Sequence, residues 1–183
     1  MKKAVSLLIM AALLACSAYA QSASEEKKFV LQGGIGFSSL GLFGTTQGLP
    51  LSLSFDYAIS KEISIGIYLG RHSSRDVLLE AFPPFWEETG FEYGYTSIAA
   101  RAVYHVDFFG SKKIDTYGVL SAGYCIVSAS TFGLVTTEEK TSFLTYGAGG
   151  GIRYFFAPNI GVFGEAGYGA GIDLLGMGIS FKF

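Results

Sequence analysis

The chain has 183 residues, half of them hydrophobic, 15% aromatic and only 15% charged, with 25 glycines and a formal net charge of −2. Globular domains average about 7% Gly and about 25% charged residues, so the composition disfavours an ordinary soluble domain and a disordered chain, and it offers no basic excess for nucleic acid. No segment reaches the roughly 18 consecutive apolar residues of a transmembrane helix, which leaves a β-barrel as the way for so apolar a chain to enter a membrane.

The chain begins with a segment typical of secretory signal peptides. Two lysines precede an apolar run over 4–15, and residues 18–20 (Ala-Tyr-Ala) fit the small-x-small site that signal peptidase cleaves. We therefore expect a signal peptide over 1–20 and a single domain over 21–183.

The same segment has an alternative interpretation. Residues 13–16 (Leu-Leu-Ala-Cys) resemble a lipobox, in which Cys16 would be acylated and become the first residue of the mature protein. A lipid anchor usually holds a soluble domain at a membrane, whereas the rest of this chain is predicted to insert by itself. Cleavage after Ala20 is therefore the expectation we carry forward.

Beyond the signal segment, apolar and polar residues alternate with the period of two that β-strands require. Every odd-numbered residue is apolar in 49–59, in 63–69 and in 175–183. Each such strand has one apolar and one polar face. Eight strands are predicted, near 28–38, 49–59, 62–72, 93–107, 114–128, 142–156, 160–168 and 172–183.

The fifth predicted strand departs from strict alternation. Tyr117 and Val119 have the opposite parity to Leu120 and Ile126. A β-bulge between the two halves would reconcile them.

The connections between the strands alternate in length. Those at 60–62, 110–112 and 157–159 are tight turns, whereas the others are longer, apart from the short connection at 169–171. Short and long connections therefore lie at opposite ends, as in outer membrane barrels, whose turns face the periplasm and whose longer loops face outward. The sequence predicts an all-β fold, an eight-stranded antiparallel up-and-down transmembrane β-barrel in the outer membrane.

Soluble lipocalin-like carriers also have eight alternating strands, with their apolar faces pointing inward. A water-exposed outer face would carry many Lys and Glu residues, whereas the polar faces here are mainly Gly and Ser. This difference favours a crowded polar interior with the apolar faces toward lipid, and the soluble ligand carrier stays as an alternative.

Three segments carry a resemblance to known proteins. They are 146–156 (YGAGGGIRYFF), 160–168 (IGVFGEAGY) and 178–183 (GISFKF). They resemble the small outer membrane β-barrel families that include the OmpA transmembrane domain and OmpX, and especially the outer membrane β-barrel domain common in Bacteroidota. The resemblance implies insertion by the barrel-assembly machinery, with Phe181 and Phe183 in the assembly signal, and it implies no shared activity.

Several charged residues are predicted by parity to point into the barrel: Asp56, Arg101, His105, Asp107, Arg153, Glu165 and Lys182, with Glu62 and His72 near strand ends. Charges removed from water are costly unless they are paired. We therefore expect an internal polar network in which Arg153 and Glu165, on the strands that flank the turn at Pro158, lie close together. Since side chains fill an eight-stranded interior, the network predicts a plugged lumen rather than an open pore.

Residues 71–74 (Arg-His-Ser-Ser) resemble the His-x-Ser motif of the lipid A deacylase PagL, in which a histidine activates a serine for ester cleavage. The resemblance implies His72 as base, Ser74 as nucleophile and Glu80 as the residue that orients the base. Against it, the motif lies on an early strand, no Asn follows Ser74, and His72 has inward parity although a lipid would approach from outside. We therefore expect no catalysis, with the lipid A-modifying esterase as an alternative.

The long connection over 73–92 contains the only Trp of the chain and a predicted short helix over 76–82. Exposed apolar residues in polar surroundings often mark a contact surface. Phe82, Phe85 and Trp86 are therefore candidates for contact with an extracellular ligand. The alternative is that they fold down and cap the mouth of the barrel.

The remaining features favour architecture over ligand binding. The glycines over 147–151 are not followed by the helix of a nucleotide loop, and the two histidines have no Cys or carboxylate at metal-ligand spacing. We expect no cofactor and no metal, and a monomer in contact with outer membrane lipid and lipopolysaccharide. An aromatic girdle at the membrane interface is predicted from Tyr57, Tyr104, Tyr124, Tyr154 and Phe156.

Overall fold

The computed structural model of the protein describes residues 29–36, 45–79, 89–132, 137–170 and 175–183. No helix within these ranges is long and apolar enough to cross a membrane. The strands are β1 (Phe29–Gly36), β2 (Thr45–Thr46), β3 (Leu51–Ala58), β4 (Ile63–Leu79), β5 (Thr89–Val106), β6 (Ile114–Phe132), β7 (Glu138–Phe155), β8 (Ile160–Ala170) and β9 (Leu175–Lys182).

Eight of these strands form a closed antiparallel ring in which each pairs with its neighbours in the chain. The order is β4, β3, β1, β9, β8, β7, β6 and β5, and β5 pairs again with β4. The two-residue β2 lies beside Ser74 and Arg75 of β4 and lengthens that wall beyond β3. The predicted eight-stranded up-and-down barrel is confirmed.

The first and last strands close the ring. Val30 of β1 lies opposite Lys182 of β9, and the pairing continues to Gly36 opposite Gly176. Beyond it, the Phe29 amide donates to the Phe183 carbonyl at 3.1 Å, and the Phe183 amide donates to the Phe29 carbonyl at 2.8 Å. The seam thus extends to the last residue of the chain.

The apolar faces of the strands point outward. On β3 and β4, the large odd-numbered residues from Leu51 to Tyr57 and from Ile63 to Leu69 are exposed, whereas Ser54, Asp56 and Ser64 are buried. A soluble carrier would need the reverse arrangement, because its outer surface faces water. The soluble-carrier alternative is therefore wrong, and the outer surface suits hydrocarbon.

Strand β6 is regular, so the suggested bulge is not needed. Its pairing with β5 and with β7 runs without interruption. Tyr117, Val119 and Cys125 are buried inside, while the even-numbered Leu120, Tyr124 and Ile126 are exposed on the outer face. The interior accommodates Tyr117 because Gly151 lies beside it on β7: a Cβ on Gly151 would meet the Tyr117 ring at 2.5 Å.

Four adjacent strands, β4 to β7, extend beyond the ends predicted for them. The pairing of β4 with β3 stops at Arg71, and that of β7 with β8 stops at Tyr146. We call the parts beyond this level the projecting sheet, namely 72–79, 89–95, 127–132 and 138–145. Eight residues of strand span about 26 Å, and the extension is at the end opposite the tight turns.

The projecting sheet changes one local prediction. Residues 76–79, expected to begin a short helix, are the last residues of β4, and Asp76, Val77 and Leu79 pair with β5 across a register shift between Val77 and Leu79. The helical prediction is wrong there, because the ladder with β5 outweighs a weak local preference. Residues 80–82 lie outside the described residues.

Candidate functional site

The interior of the barrel holds a cluster of charged side chains from five strands. Asp56 of β3, Arg101 of β5 and Arg153 of β7 are 1%, 5% and 0% exposed. Glu165 of β8 and Asp115 of β6 lie beside them. We call these five residues the charge cluster.

Arg153 is the residue with the most polar partners in the cluster. Its Nη2 donates to Asp56 Oδ2 at 2.9 Å and to Gln32 Oε1 at 2.8 Å. Its Nη1 donates to Asp115 Oδ2 at 2.9 Å, and its guanidinium lies 4.0 Å from the centre of the Tyr117 ring. One cation thereby links its own strand to three other strands of the barrel wall.

Arg101 forms the second bridge. Its Nη2 donates to Glu165 Oε2 at 3.1 Å, and its Nε lies 3.0 Å from Asp56 Oδ1. Tyr117 donates its hydroxyl to the same Glu165 oxygen at 2.9 Å. Each buried charge therefore has an opposite charge at contact distance, as the cost of desolvation demands.

The pairing differs from the expected one across the turn at Pro158. On the paired strands, Arg153 lies opposite Phe163, while Glu165 lies opposite Gly151. Arg153 pairs with Asp56 and Asp115, and Glu165 pairs with Arg101. Asp115 lies directly opposite Arg153 on the adjacent strand β6, whereas the pairs Arg153–Asp56 and Arg101–Glu165 join non-adjacent strands across the lumen.

Asp107 does not belong to the interior. It follows the end of β5, is exposed, and accepts a hydrogen bond at 2.7 Å from the amide of Gly110. Gly110 has a φ of 59°, which favours glycine in this turn. Strand β5 ends at Val106, so strand alternation no longer sets the direction of the Asp107 side chain, which instead forms a hydrogen bond within the turn. Glu62 is likewise exposed in a turn.

Sequence reasoning missed three members of this interior: Gln32, Asp115 and Tyr117. Asp115 and Tyr117 belong to the strand whose parity was ambiguous, and the inward parity of Tyr117 and Val119 would have placed Asp115 inside as well. Gln32 was passed over because it is neutral, although its side chain is 2% exposed and bonded to Arg153.

Next to the charge cluster, three polar residues form a chain of hydrogen bonds. His105 Nδ1 lies 2.7 Å from Asp115 Oδ1, and His105 Nε2 lies 2.9 Å from Ser64 Oγ. All three line a cavity of about 1200 Å³ at the end of the barrel that carries the tight turns. Lys182, another predicted inward residue, also lines this cavity, with its ammonium 5.6 Å from the centre of the Phe155 ring.

His72 and Ser74 lie inside the barrel on the lumen face of β4. Both are buried, and the His72 ring lies 5.8 Å from that of Tyr95. Neither faces the lipid-exposed surface that a lipid A-modifying esterase would present to its substrate. Glu80, the third residue of that hypothesis, is outside the described residues.

The lumen face of the projecting sheet carries stacked aromatic rings. Phe91 lies 6.0 Å from Tyr93, and Tyr93 lies 6.1 Å from Tyr95. Burial, followed by the neighbouring Tyr95 and Asp76, raises the pKa of Tyr93. Its phenol therefore stays protonated over the whole neutral range.

Other predicted features fall at the limits of the structure. Phe82, Phe85 and Trp86 lie outside the described residues, as do the signal segment 1–20 and Cys16. Phe181 pairs with Leu31 of β1 on the seam. Within the described ranges, no group of three or more His, Cys, Asp or Glu side chains is placed to hold a metal ion.

Comparison with known proteins gives a family match and several similar folds. The profile of the outer membrane protein beta-barrel domain family matches residues 8–181. A search of curated proteins finds no match. A major outer membrane protein from Thermus thermophilus is similar with a TM-score of 0.61 and 13% identity, over 87% of this chain and 100% of that chain.

Two further solved structures share the fold. Ail, the attachment invasion locus protein of Yersinia pestis, in complex with the heparin analogue sucrose octasulfate, has a TM-score of 0.52 and 15% identity over 86% of this chain and 97% of that chain. The N-terminal β-barrel domain of Pseudomonas aeruginosa OprF has a TM-score of 0.51 and 15% identity over 87% of this chain and 100% of that chain. At these identities the likeness is one of fold.

Proposed function

Because the chain belongs to the outer membrane protein beta-barrel domain family, we propose that it combines a structural role in the outer membrane with molecular contact at the cell surface. The contact at the cell surface is supported by the projecting sheet, whose strands extend beyond the level at which β3 and β8 end. In outer membrane barrels the end opposite the tight turns faces outward. This role requires no catalysis.

The outer face of the projecting sheet supports a position outside the bilayer. Along β4 the outward residues change from the apolar series ending at Leu69 to Arg71 and Ser73, all exposed. On β7 the outward series likewise changes from Leu144 to Ser142 and Lys140. A polar outer face costs little in water and much in hydrocarbon, so the change marks the level where lipid tails end.

We further propose outer membrane lipid and lipopolysaccharide as the partners at that level. Arg71 Nη1 donates to Thr96 Oγ1 at 2.7 Å, which holds the guanidinium against the outer surface just above the apolar band. Guanidinium groups bind phosphate through paired hydrogen bonds. Arg71 is therefore well placed for the phosphate groups of lipopolysaccharide.

The contact surface for an extracellular ligand is proposed at the connection between β4 and β5, where Phe82, Phe85 and Trp86 lie. The strands that lead into it, 73–79 and 89–92, present it at the tip of the projecting sheet. Ail, which shares the fold, is known in complex with a heparin analogue. Heparin is therefore a suitable first probe for this chain.

Replacing 80–88 by a Gly-Ser linker tests this proposal, with replacement of 133–136, between β6 and β7, as the matched control. Cells that display the parent protein are expected to bind heparin-coated beads. We expect the 80–88 replacement to lose that binding and the 133–136 replacement to keep it. Parent cells that bind no better than cells with an empty vector, or an 80–88 replacement that binds normally, would refute the surface role.

Insertion is proposed to follow removal of residues 1–20 and to depend on the barrel-assembly machinery, with the mature domain remaining a monomer. Closure of the ring through β1 and β9 supports the monomer, because below the projecting sheet each of the eight strands pairs with a strand of the same chain on both sides. Sequencing the N-terminus of the mature protein distinguishes cleavage after Ala20 from acylation at Cys16.

A further inference from the structure

The hydrogen-bonded residues Ser64, His105 and Asp115 have the order of a nucleophile, a base and a carboxylate. We propose that Ser64 is an activated nucleophile that cleaves small carboxylic esters entering the cavity from the periplasmic end of the barrel. The inference goes beyond the surface role, and it assigns chemistry to a barrel for which the sequence predicts none.

The barrel fold explains how these residues meet. Ser64 pairs with Val103, two residues before His105, and His105 pairs with Tyr117, two residues after Asp115. Diagonal neighbours two residues apart on one face of an antiparallel sheet lie within reach of long side chains. The three side chains therefore form a diagonal row on the inner wall, across β4, β5 and β6.

The hydrogen bonds determine which imidazole nitrogen carries the proton. The ionised Asp115 carboxylate only accepts, so His105 Nδ1, at 2.7 Å, must be the donor. In neutral imidazole Nε2 is then an acceptor, and the Ser64 hydroxyl donates to it at 2.9 Å. This tautomer is the one that general-base activation of a serine requires.

The reaction balances with the ester and water alone. Ser64 Oγ attacks the ester carbonyl while its proton moves to His105 Nε2. The tetrahedral intermediate expels the alcohol, which takes that proton, and leaves an acyl-serine. Water, deprotonated by Nε2, then attacks the acyl group, and Ser64 recovers its proton as the carboxylic acid leaves.

Two features of the site determine how fast the proposed reaction is expected to be. Ser64 is 3% exposed but lines the cavity, and the side chains of His105 and Asp115 are 18% and 25% exposed, so small esters and water have access. Arg153 binds the other oxygen of Asp115 at 2.9 Å, which weakens the stabilisation that the carboxylate gives an imidazolium. We therefore expect slow turnover with a measurable acyl-enzyme burst.

The test uses the folded protein purified from outer membranes and a fluorophosphonate probe, which phosphonylates activated serines. Peptide mass spectrometry should locate the label on Ser64. Ser64→Ala should abolish labelling, and His105→Gln should slow it roughly 100-fold or more, the usual contribution of a general base. Ser111→Ala is the matched control, because Ser111 lines the same cavity but its hydroxyl accepts from the Lys113 amide.

A second measurement concerns Asp115, which acts as a positioning residue. Asp115→Asn should lower the rate of Ser64 labelling in folded protein, because His105 loses the carboxylate that accepts its Nδ1 proton and fixes its tautomer. A purely structural role would change the yield of folded protein and leave the labelling rate per folded molecule unchanged. His105 also faces the Tyr117 ring at a distance of 6.2 Å, and Tyr117→Phe keeps that ring, so this variant should leave the labelling rate of folded protein nearly unchanged.

The proposal is overturned if folded parent protein carries no label on Ser64, or if Ser64 is labelled no faster than Ser111. Boiled parent protein provides the internal comparison and should lose the label, so the test does not depend on whether a variant folds. A burst of nitrophenolate from 4-nitrophenyl acetate that Ser64→Ala removes would support ester cleavage. Failure here leaves the surface role intact, because that role rests on the opposite end of the barrel.

Discussion

Arg153 shows what a single residue does in this interior. It is fully buried and holds Asp56 and Asp115, which come from strands on different sides of the lumen. Arg101 also contacts Asp56, and His105 contacts Asp115, but Arg153 is the cation that the two carboxylates share, so its removal leaves the desolvation of both less fully offset. The stability of the barrel wall should therefore depend on this one side chain.

We predict that Arg153→Met lowers the free energy of unfolding by about 3 to 5 kcal/mol, the typical cost of removing one partner from a buried pair. Urea unfolding of the barrel in lipid vesicles, followed by gel mobility without heating, measures it. Arg71→Met removes an exposed guanidinium and is the matched control, with an expected loss below about 1 kcal/mol. Equal losses in the two variants would show that the cluster contributes no special stability.

For single residues, the sequence predicted which side chains face the lumen better than it predicted their ion-pair partners. Parity placed Asp56, Arg101 and Arg153 on the lumen side, because alternation in a strand is a local property. Asp115, directly opposite Arg153 on the adjacent strand, is a partner that strand pairing can supply, whereas Asp56 was not predictable from adjacent strands, because the guanidinium reaches it on the far side of the closed ring. Pairing across a lumen depends on the diameter and stagger of the barrel, which no local pattern encodes.

At the scale of single strands, β9 combines two tasks. Its outward residues face lipid, and its backbone closes the seam with β1 up to the mutual hydrogen bonds of Phe29 and Phe183. The resemblance to outer membrane barrels also implies that Phe181 and Phe183 are read during assembly. Phe29 and Phe183 lie on the same rung of the seam, which allows the two tasks to be separated.

We predict that Phe183→Ser lowers the amount of folded protein in the outer membrane several-fold, whereas Phe29→Ser changes it little. Both variants keep the backbone hydrogen bonds of the rung, and only Phe183 carries the expected assembly signal. The heat-dependent gel shift of the outer membrane fraction measures the folded amount. A similar decrease in both variants would assign the effect to packing at the seam.

The lengths of the strands show how far the sequence determines the elements. Apolar alternation located all eight strands, because the lipid-facing side must be apolar at every second residue. The four extensions of the projecting sheet were missed, because their outer face is polar at Ser73 and Lys140 and no longer alternates in hydropathy. These segments are strands because the backbone pairing between neighbouring strands continues into them. The sequence of one segment alone does not reveal that pairing.

At the scale of the whole molecule, we predict that the barrel does not conduct ions at a porin-like rate. The charge cluster lies across the lumen, with Arg153 bonded to Asp56 and Arg101 bonded to Glu165, and eight strands leave an interior that side chains fill. Recordings of purified protein in planar lipid bilayers should show no large single-channel steps. Steps of porin size that disappear on heat denaturation would refute the plugged lumen.

The seam between β1 and β9 also determines when the barrel can close during biogenesis. Since β1 pairs with β9, the ring closes only after all the strands between them have been made and exported. Every shorter intermediate has two open strand edges, and such edges invite association with other chains. Closure of the barrel therefore requires a contact between β1 and β9, two strands that are far apart in the sequence, before these edges are removed.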